Sequence, residues 1–171
     1  MKHIIIRNAK IIDPQSKYHG QKKDILIQDG IIEKIDLKIQ LNTPYLEIKI
    51  KNLHVSPGWV DLHTRLCEPG LEYRETIETG LKAAAKGGFT SVLMMPSTNP
   101  PIEKNSDIIF LLKKATSNIV DILPTGCITK NHKQNEITEM YDMYQNGAIA
   151  FTNDKKPIQN AMLMNIALEY V

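Results

Sequence analysis

The hydrophobic pattern divides the chain into two parts that differ in rhythm. Over residues 1–55, short runs of β-branched residues are separated by turn residues, and residues 45–55 alternate apolar and polar side chains, which is typical of half-buried strands. Two apolar runs flank Asp29-Gly30, a pair that favours the positive φ of a tight hairpin turn. Residues 1–55 are therefore predicted to form the N-terminal part of a small β-domain.

After Pro57-Gly58 the pattern changes to strand, loop and helix, repeated four times. Apolar runs predict strands that are covered on both faces, as in a parallel sheet; they lie at residues 59–63, 89–96, 119–126 and 147–153. Helical periodicity follows each run, at residues 74–88, 106–118, 135–147 and 160–171. Ser106 is the predicted N-cap of the second helix, and Gly87-Gly88 and Gly147 are predicted stops.

Repeated βα units indicate an α/β fold with a parallel sheet and right-handed crossovers. Four units are half of a (β/α)8 barrel, which typically needs about 250 residues, whereas this chain has 171. Residues 56–171 are therefore predicted to be the first half of such a barrel, and the chain to be the N-terminal part of a longer protein. A complete four-unit α/β domain is the alternative.

Composition and charge narrow the classes of function. The chain is 42% hydrophobic and 23% charged with a net charge of +2, which predicts a globular core and no surface for nucleic acid or for an anionic membrane. The Lys113-Lys114 and Lys155-Lys156 pairs are predicted to lie on solvated surfaces. No apolar run approaches the ~18 residues of a membrane span. Two cysteines and a strand-like beginning without a signal-peptide pattern predict a cytoplasmic protein with reduced thiols.

Polar residues follow the predicted strands, at the sheet edge where parallel α/β folds bind their ligands. We take these residues as the candidate site; they are His63, Arg65, Cys67, Ser97, Thr98, Asn99, residues 125–130, Asn153 and Asp154.

His63 and Arg65 occupy the two places of a His-x-His pair, whose side chains would share one face of a strand and bind a metal together. A guanidinium offers no lone pair to a metal and repels a cation. His63 alone is therefore predicted to be a hydrogen-bonded structural residue. The alternative is a hard-cation site made of His63, Asp61 and Asp154. The nearby Arg65 argues against this alternative, because it is expected to form a salt bridge with one of the two acids instead.

The remaining candidates have less specific roles. Cys67 is predicted to be a small buried thiol, because the nucleophilic alternative needs a lowered pKa and a neighbouring base, while Glu68 opposes that shift and no histidine lies in the motif. The polar group at residues 97–99 either binds a ligand or satisfies turn backbone, with equal weight. His132 is predicted to be a surface residue.

Three quoted segments carry a resemblance to a known family: PGWVDLHTRLCEPG, MMPSTNPP and GAIAFTNDKK. Together with the DGIIEKI hairpin they resemble the dihydroorotases, of the cyclic amidohydrolase group in the amidohydrolase superfamily, and the resemblance extends over the whole chain. It implies a TIM barrel of the amidohydrolase type and a small β-domain built from both chain ends. It also implies interconversion of N-carbamoyl-aspartate and dihydroorotate in pyrimidine biosynthesis, with zinc activating water and polarising the ring carbonyl.

The positions that match the family's functional residues depart from its pattern, except at His63. In D-x-H-x-H-x-R-x-P-G, His63 falls on the first metal ligand, Arg65 on the second, and Cys67 on the arginine that holds the substrate carboxylate. Ser97 replaces the asparagine of M-P-N-T, which helps to bind substrate, and Asn153 replaces the metal-binding aspartate of F-T-D-D-G.

These departures predict that dihydroorotase activity is lost or severely reduced, that zinc is absent or weakly bound, and that the protein acts as a non-catalytic partner or regulatory homologue. Inactive homologues in the family can associate with aspartate transcarbamoylase, so the resemblance implies that enzyme, or self-association, as the partner. The alternative is an active metal-dependent amidohydrolase with a rearranged one-metal site, in which Asp154 is the candidate catalytic residue and His63 the candidate ligand.

Overall fold

The computed structural model describes residues 3–170, which form two compact units, Met1–Pro57 and Gly58–Val171. The first unit is a five-stranded sheet in which β3, β2, β1 and β4 lie side by side and β5 also pairs with β1. Its strands are β1 (His3–Ile11), β2 (Lys22–Gln28), β3 (Ile31–Asp36), β4 (Tyr45–Ile48) and β5 (His54–Val55). The β-rich character predicted for this segment is therefore confirmed.

Of two features predicted for the first unit, the structure confirms one and contradicts the other. The Asp29-Gly30 hairpin is confirmed: β2 and β3 are antiparallel, and these residues have φ values of 49° and 86°. The single strand predicted at 45–55 is wrong, because β4 and β5 are separate strands with Asn52 at a φ of 58° between them. Tyr45 pairs with His3 and His54 with Lys10, so this segment has two residues more than β1 and must loop out.

The second unit is a four-stranded parallel sheet in which strands and helices alternate along the chain, which confirms the predicted α/β class. The strands lie in sequence order, as β6 (Trp59–Thr64), β7 (Phe89–Met94), β8 (Asp121–Gly126) and β9 (Ala150–Phe151). The helices are α1 (Ile77–Gly87), α2 (Asn105–Ala115), α3 (Met140–Gln145) and α4 (Ala161–Tyr170). Closure into an eightfold barrel stays a prediction.

The two central strands are buried on the face that packs against the helices, whereas Ser91, Leu93 and Leu123 on the other face are only half-buried. Coverage of both faces stays a prediction. Val92 and Met94 in β7 and Ile122 in β8 belong to one core cluster with residues of the helices. In β6, Val60 and Leu62 are 51% and 69% exposed. The reason is position, because β6 lies at the edge of this sheet.

The helix limits differ from the predicted ones where a side chain caps the backbone. Thr76 accepts a hydrogen bond from the backbone N of Thr79, so α1 begins at Ile77, and Gly88 ends it in a left-handed conformation, as predicted. Ser106 is not the N-cap of α2. Asp107 instead accepts hydrogen bonds from the backbone N of residues 103 and 104, and α2 begins one residue before Ser106.

The third helix is much shorter than the pattern predicts. Residues 135–139 are not helical, because Ile137 forms a β-bridge with Thr129 and the backbone N of Thr138 donates to the carbonyl of Ile128. These β-branched residues extend the loop after β8 instead of beginning a helix. Within residues 3–170, no helix has the length and apolar character that would take it across a bilayer.

Glu68 connects the loop after β6 with two helices. Its carboxylate accepts a hydrogen bond of 2.9 Å from the backbone N of Ile77, the first residue of α1, and forms an ion pair of 2.5 Å with Lys114 of α2. The Glu68 side chain is 5% exposed. Lys114 is 47% exposed, as predicted for a solvated surface, and the structure adds its ion pair with this buried acid.

We predict that Glu68→Ala lowers the free energy of unfolding by about 2 kcal/mol, because it removes the acceptor of the first backbone N–H of α1 and the partner of Lys114. Urea denaturation of the purified protein measures the change. Glu78→Ala is the matched control, since Glu78 is an exposed acid of the same helix that pairs with Lys82, and exposed ion pairs contribute little. Equal losses in the two variants would contradict the role assigned to Glu68.

Candidate functional site

The ends of β6, β7 and β9 bring four of the predicted site residues together around one carboxylate. Asp154, three residues after β9, lies within hydrogen-bonding or ion-pairing distance of His63, Arg65 and Ser97. Because the strands are parallel, residues far apart in sequence meet at their carboxyl ends. The clustering expected from the sequence is therefore observed.

Arg65 and Asp154 form a two-pronged ion pair. The Arg65 Nε lies 3.0 Å from one carboxylate oxygen of Asp154, and Nη2 lies 2.6 Å from the other. The Ser97 hydroxyl donates a third hydrogen bond, of 2.8 Å, to the same carboxylate. The prediction that Arg65 pairs with one of the two neighbouring acids is confirmed, and the acid is Asp154.

Asp154 is buried and held in its charged form. Its side chain is 1% exposed, whereas that of Arg65 is 36% exposed. Burial acts to raise the pKa of the Asp154 carboxyl, but the hydrogen bonds from Arg65 and Ser97 and the charge of Arg65 outweigh it, so the pKa lies below its ordinary value. A carboxylate that is ionised and fully hydrogen-bonded is a poor proton shuttle near neutral pH.

His63 faces the same carboxylate but remains open to solvent. Its Nε2 lies 3.3 Å from Asp154, and its side chain is 57% exposed. Its backbone N donates to the Asp61 carboxylate at 2.9 Å, so Asp61 makes a local turn contact. The three groups suggested as ligands of a hard cation thus do not share one site. Asp61 accepts from the backbone of His63, and Arg65 occupies the Asp154 carboxylate that the His63 imidazole faces.

Asn153 serves the loop after β8. Its side-chain oxygen accepts hydrogen bonds of 3.1 Å from the backbone N of both Ile128 and Thr129, and its amide nitrogen donates to the Thr129 hydroxyl at 2.7 Å. Asn153 is 4% exposed. Its polar atoms are satisfied within the protein, which leaves no donor atom directed to a metal.

The loops after β6 and β7 contact each other through backbone atoms. The backbone N of Asn99 donates to the carbonyl of Pro69, and a Cβ on Gly70 would lie 1.6 Å from the carbonyl oxygen of Asn99. Only glycine permits this approach, particularly at a φ of 85°. Thr98 donates to the carbonyl of Pro100, so of the polar group at residues 97–99, Thr98 satisfies turn backbone while Ser97 contacts Asp154.

Two of the predicted side-chain environments are wrong. Cys67 is only half-buried, with a φ of 53°, and faces a cavity. His132 is half-buried, and its Nδ1 lies 3.7 Å from the buried Cys127 thiol. Burial raises the pKa of Cys127 to about 12, so this thiol is not a nucleophile at neutral pH.

A cavity of about 470 Å³ opens beside the Arg65–Asp154 pair. Its lining is rich in basic side chains and comprises Arg65, Cys67, Leu71, Arg74, Ser97, Thr98, His132, Asn153, Asp154, Lys155 and Lys156. Arg74 was not singled out in the sequence, and the Lys155-Lys156 pair was assigned to a solvated surface. Their only common signal is positive charge close to the candidate motifs.

Within residues 3–170, no group of three or more histidine, cysteine or acidic side chains is arranged to hold a metal. At the strand ends the potential donors are His63 and Asp154, and Arg65 and Ser97 already donate to the carboxylate of Asp154. The donor set of this region therefore does not fit the zinc centre that the resemblance implies.

The sequence matches the Dihydro-orotase-like family over residues 53–170. It is 41% identical to a dihydroorotase of Aquifex aeolicus over 99% of this chain and 40% of the relative. It is 42% identical to a dihydroorotase of Caldanaerobacter subterraneus over 98% of this chain and 38% of the relative. The chain thus spans about two fifths of the length of the curated relatives it matches.

The fold resembles that of an L-hydantoinase (dihydropyrimidinase) from Arthrobacter aurescens, with a TM-score of 0.72 and 26% identity. That similarity covers 88% of this chain and 32% of the hydantoinase.

We predict that Asp154→Asn destabilises the protein by about 1–2 kcal/mol at pH 7, because Arg65 loses its ionic partner. The lowered pKa of Asp154 stabilises the fold above the ordinary value of 3.8, and this contribution is lost as the pH falls through the lower folded value. The variant should therefore lose less stability than the wild type between about pH 5 and pH 3.

Urea denaturation at each pH measures the free energy of unfolding, and the slope of this free energy against pH is compared between the variant and the wild type. Asp121→Asn is the control, since Asp121 is an exposed acid of the same sheet without an ion pair among residues 3–170. Identical acid slopes for Asp154→Asn and the wild type would contradict the assignment.

Proposed function

Because the chain belongs to the Dihydro-orotase-like family, we propose that it is part of a dihydroorotase-like protein of pyrimidine biosynthesis whose dihydroorotase activity is lost or severely reduced. The protein then acts as a non-catalytic partner or regulatory homologue of an active enzyme. The chain retains the residues that build the parallel sheet and its connecting loops. It differs from the family pattern at the residues that bind metal and substrate.

The observation that carries this proposal is the convergence of two replaced residues on one carboxylate. Arg65 stands where the family has a ligand histidine, Ser97 stands where it has a substrate-binding asparagine, and both donate hydrogen bonds to Asp154. Independent loss of function would leave such replacements unrelated to each other. Here they form a mutually satisfied network in place of a metal centre.

Electrostatics opposes a zinc ion at this position. A dication about 4 Å from a guanidinium meets a repulsion on the order of several kcal/mol at an effective dielectric constant of ~20. Asn153 in place of an aspartate removes a negative charge that would offset the repulsion. We therefore propose that zinc is absent or weakly bound. Cys67 likewise cannot hold a substrate carboxylate as the two-pronged arginine of the family pattern does.

A second candidate function is an active amidohydrolase with a rearranged one-metal site. The observation that favours it is the exposure of His63, whose imidazole is 57% exposed and faces Asp154 without a strong hydrogen bond. In that case Arg65 would have to release Asp154 when metal binds. Further ligands would come from other segments of a longer protein.

We predict that the purified full-length protein contains much less than one equivalent of zinc and does not turn over dihydroorotate. The combined reversion Arg65→His, Cys67→Arg, Ser97→Asn and Asn153→Asp should raise the zinc content to about one equivalent or more, since it restores the donors and removes the repelling charge. Elemental analysis after growth with added zinc measures the zinc content of the wild type and of the reverted variant. An assay with dihydroorotate measures turnover.

Cys67→Arg alone is the matched control, because it changes charge without adding a donor, and its zinc content should equal that of the wild type. Stoichiometric zinc together with turnover in the wild type would reject the proposal. That result would favour the one-metal enzyme.

The partner that we propose is aspartate transcarbamoylase, with self-association as the alternative. A protein kept for its shape must transmit its effect through contacts with another protein.

We predict that the full-length protein binds aspartate transcarbamoylase from the same organism with a Kd in the micromolar range or tighter. Analytical ultracentrifugation of each protein alone and of the mixture measures the association and separates it from self-association. Two species that sediment independently at high concentration would reject this partner.

A further inference from the structure

The cavity beside Arg65 has a strong excess of positive charge. Four permanently or ordinarily charged cations line it, Arg65, Arg74, Lys155 and Lys156, against one carboxylate, that of Asp154. The formal excess is three positive charges, whereas the whole chain has a net charge of only +2. Positive charge is therefore concentrated here and not spread over the surface.

The single carboxylate of the cavity does not neutralise the other cations. Asp154 has its side chain 1% exposed and directs both oxygens to Arg65 and Ser97. Arg74, Lys155 and Lys156 have no ion pair with any acid of residues 3–170. Three exposed cations thus line the same cavity without a counterion among residues 3–170.

The cavity has a size and a lining suited to a small charged ligand. Its volume of about 470 Å³ lies within the range of small-molecule sites. The half-buried Cys67 and Leu71 supply a less polar wall. Positive charges in such a concave site reinforce one another and attract anions from solution.

We propose that this cavity is a metal-independent binding site for a small anion with two or more negative charges, of the phosphorylated or polycarboxylate kind. Arg74, Lys155 and Lys156 contact the anion, and the neutralised Arg65–Asp154 pair forms the floor of the site. The site lets a non-catalytic protein respond to a metabolite. This inference rests on the proposed function only in assigning a binding role to a pocket that has no metal.

His132 lies in the wall of the cavity but does not add to its positive charge. Burial lowers the pKa of His132, and the nearby charge of Lys156 lowers it further, although Asp154 and Glu103 act in the opposite direction. His132 is therefore neutral at pH 7. The anion is bound by the permanent cations, and binding should not require acid pH.

Isothermal titration calorimetry on the full-length protein, dialysed against EDTA at low ionic strength, tests the proposal with pyrophosphate, citrate and acetate as probes. Pyrophosphate or citrate should bind at least about tenfold more tightly than the monoanion acetate, and the difference should shrink as salt is added. Tight pyrophosphate with weak citrate identifies a phosphorylated ligand, and the reverse identifies a polycarboxylate. Multivalent anions that bind no better than acetate would overturn the proposal.

The Lys155→Gln/Lys156→Gln double variant should weaken binding of the better probe at least about fivefold. Lys86→Gln/Lys113→Gln is the matched control, since it removes the same charge from the last turns of α1 and α2 and should leave binding unchanged. All four lysines are exposed, so the variants should fold, and thermal unfolding without ligand checks this. An equal effect of both double variants would also overturn the proposal.

The outcome is separable from that of the proposed function. Zinc and turnover in the wild type, together with lysine-dependent anion binding after EDTA treatment, would reject the proposed function and retain the site. A metal-free, inactive protein without anion binding would retain the proposed function and reject the anion site.

Discussion

The ion pair between Arg65 and Asp154 determines what the strand ends of the parallel sheet can do. It joins the end of β6 to the loop after β9, and Ser97 adds the loop after β7 to the same carboxylate. A metal ion performs this joining in a metalloenzyme, because it attracts several ligands to one point. Here a cation of the chain itself contacts the carboxylate, whose oxygens accept hydrogen bonds from Arg65 and Ser97.

The guanidinium of Arg65 affects more than the position that it occupies. Arg65 carries a permanent charge, so Asp154 stays ionised while its lone pairs are engaged. Among residues 3–170, the cavity beside this pair is lined by Arg74, Lys155 and Lys156, with Asp154 as its acid. A lining of this composition favours anions.

The sequence predicted those features that depend on local backbone chemistry. The Asp29-Gly30 hairpin, the end of α1 at Gly88 and the alternation of strands and helices follow from turn preference and periodicity. The errors arose where distant residues decide. Thr129 forms a β-bridge with Ile137 where the local pattern predicts a helix. The ion pair of the exposed Lys114 with the buried Glu68 is likewise not visible in a local pattern.

The candidate site was predictable in position but not in its contacts. The rule that parallel strands present their ligand-binding residues at their carboxyl ends placed His63, Arg65, Ser97 and Asp154 at one edge of the sheet. It could not distinguish Asp61 from Asp154 as the partner of Arg65, since both acids lie near strand ends in the sequence. The structure separates them because Asp61 is occupied by the backbone of His63, while Asp154 is buried and directed towards Arg65. Asn153 has a separate role: its side-chain oxygen accepts hydrogen bonds from the backbone N of residues 128 and 129, so this position contributes to loop structure.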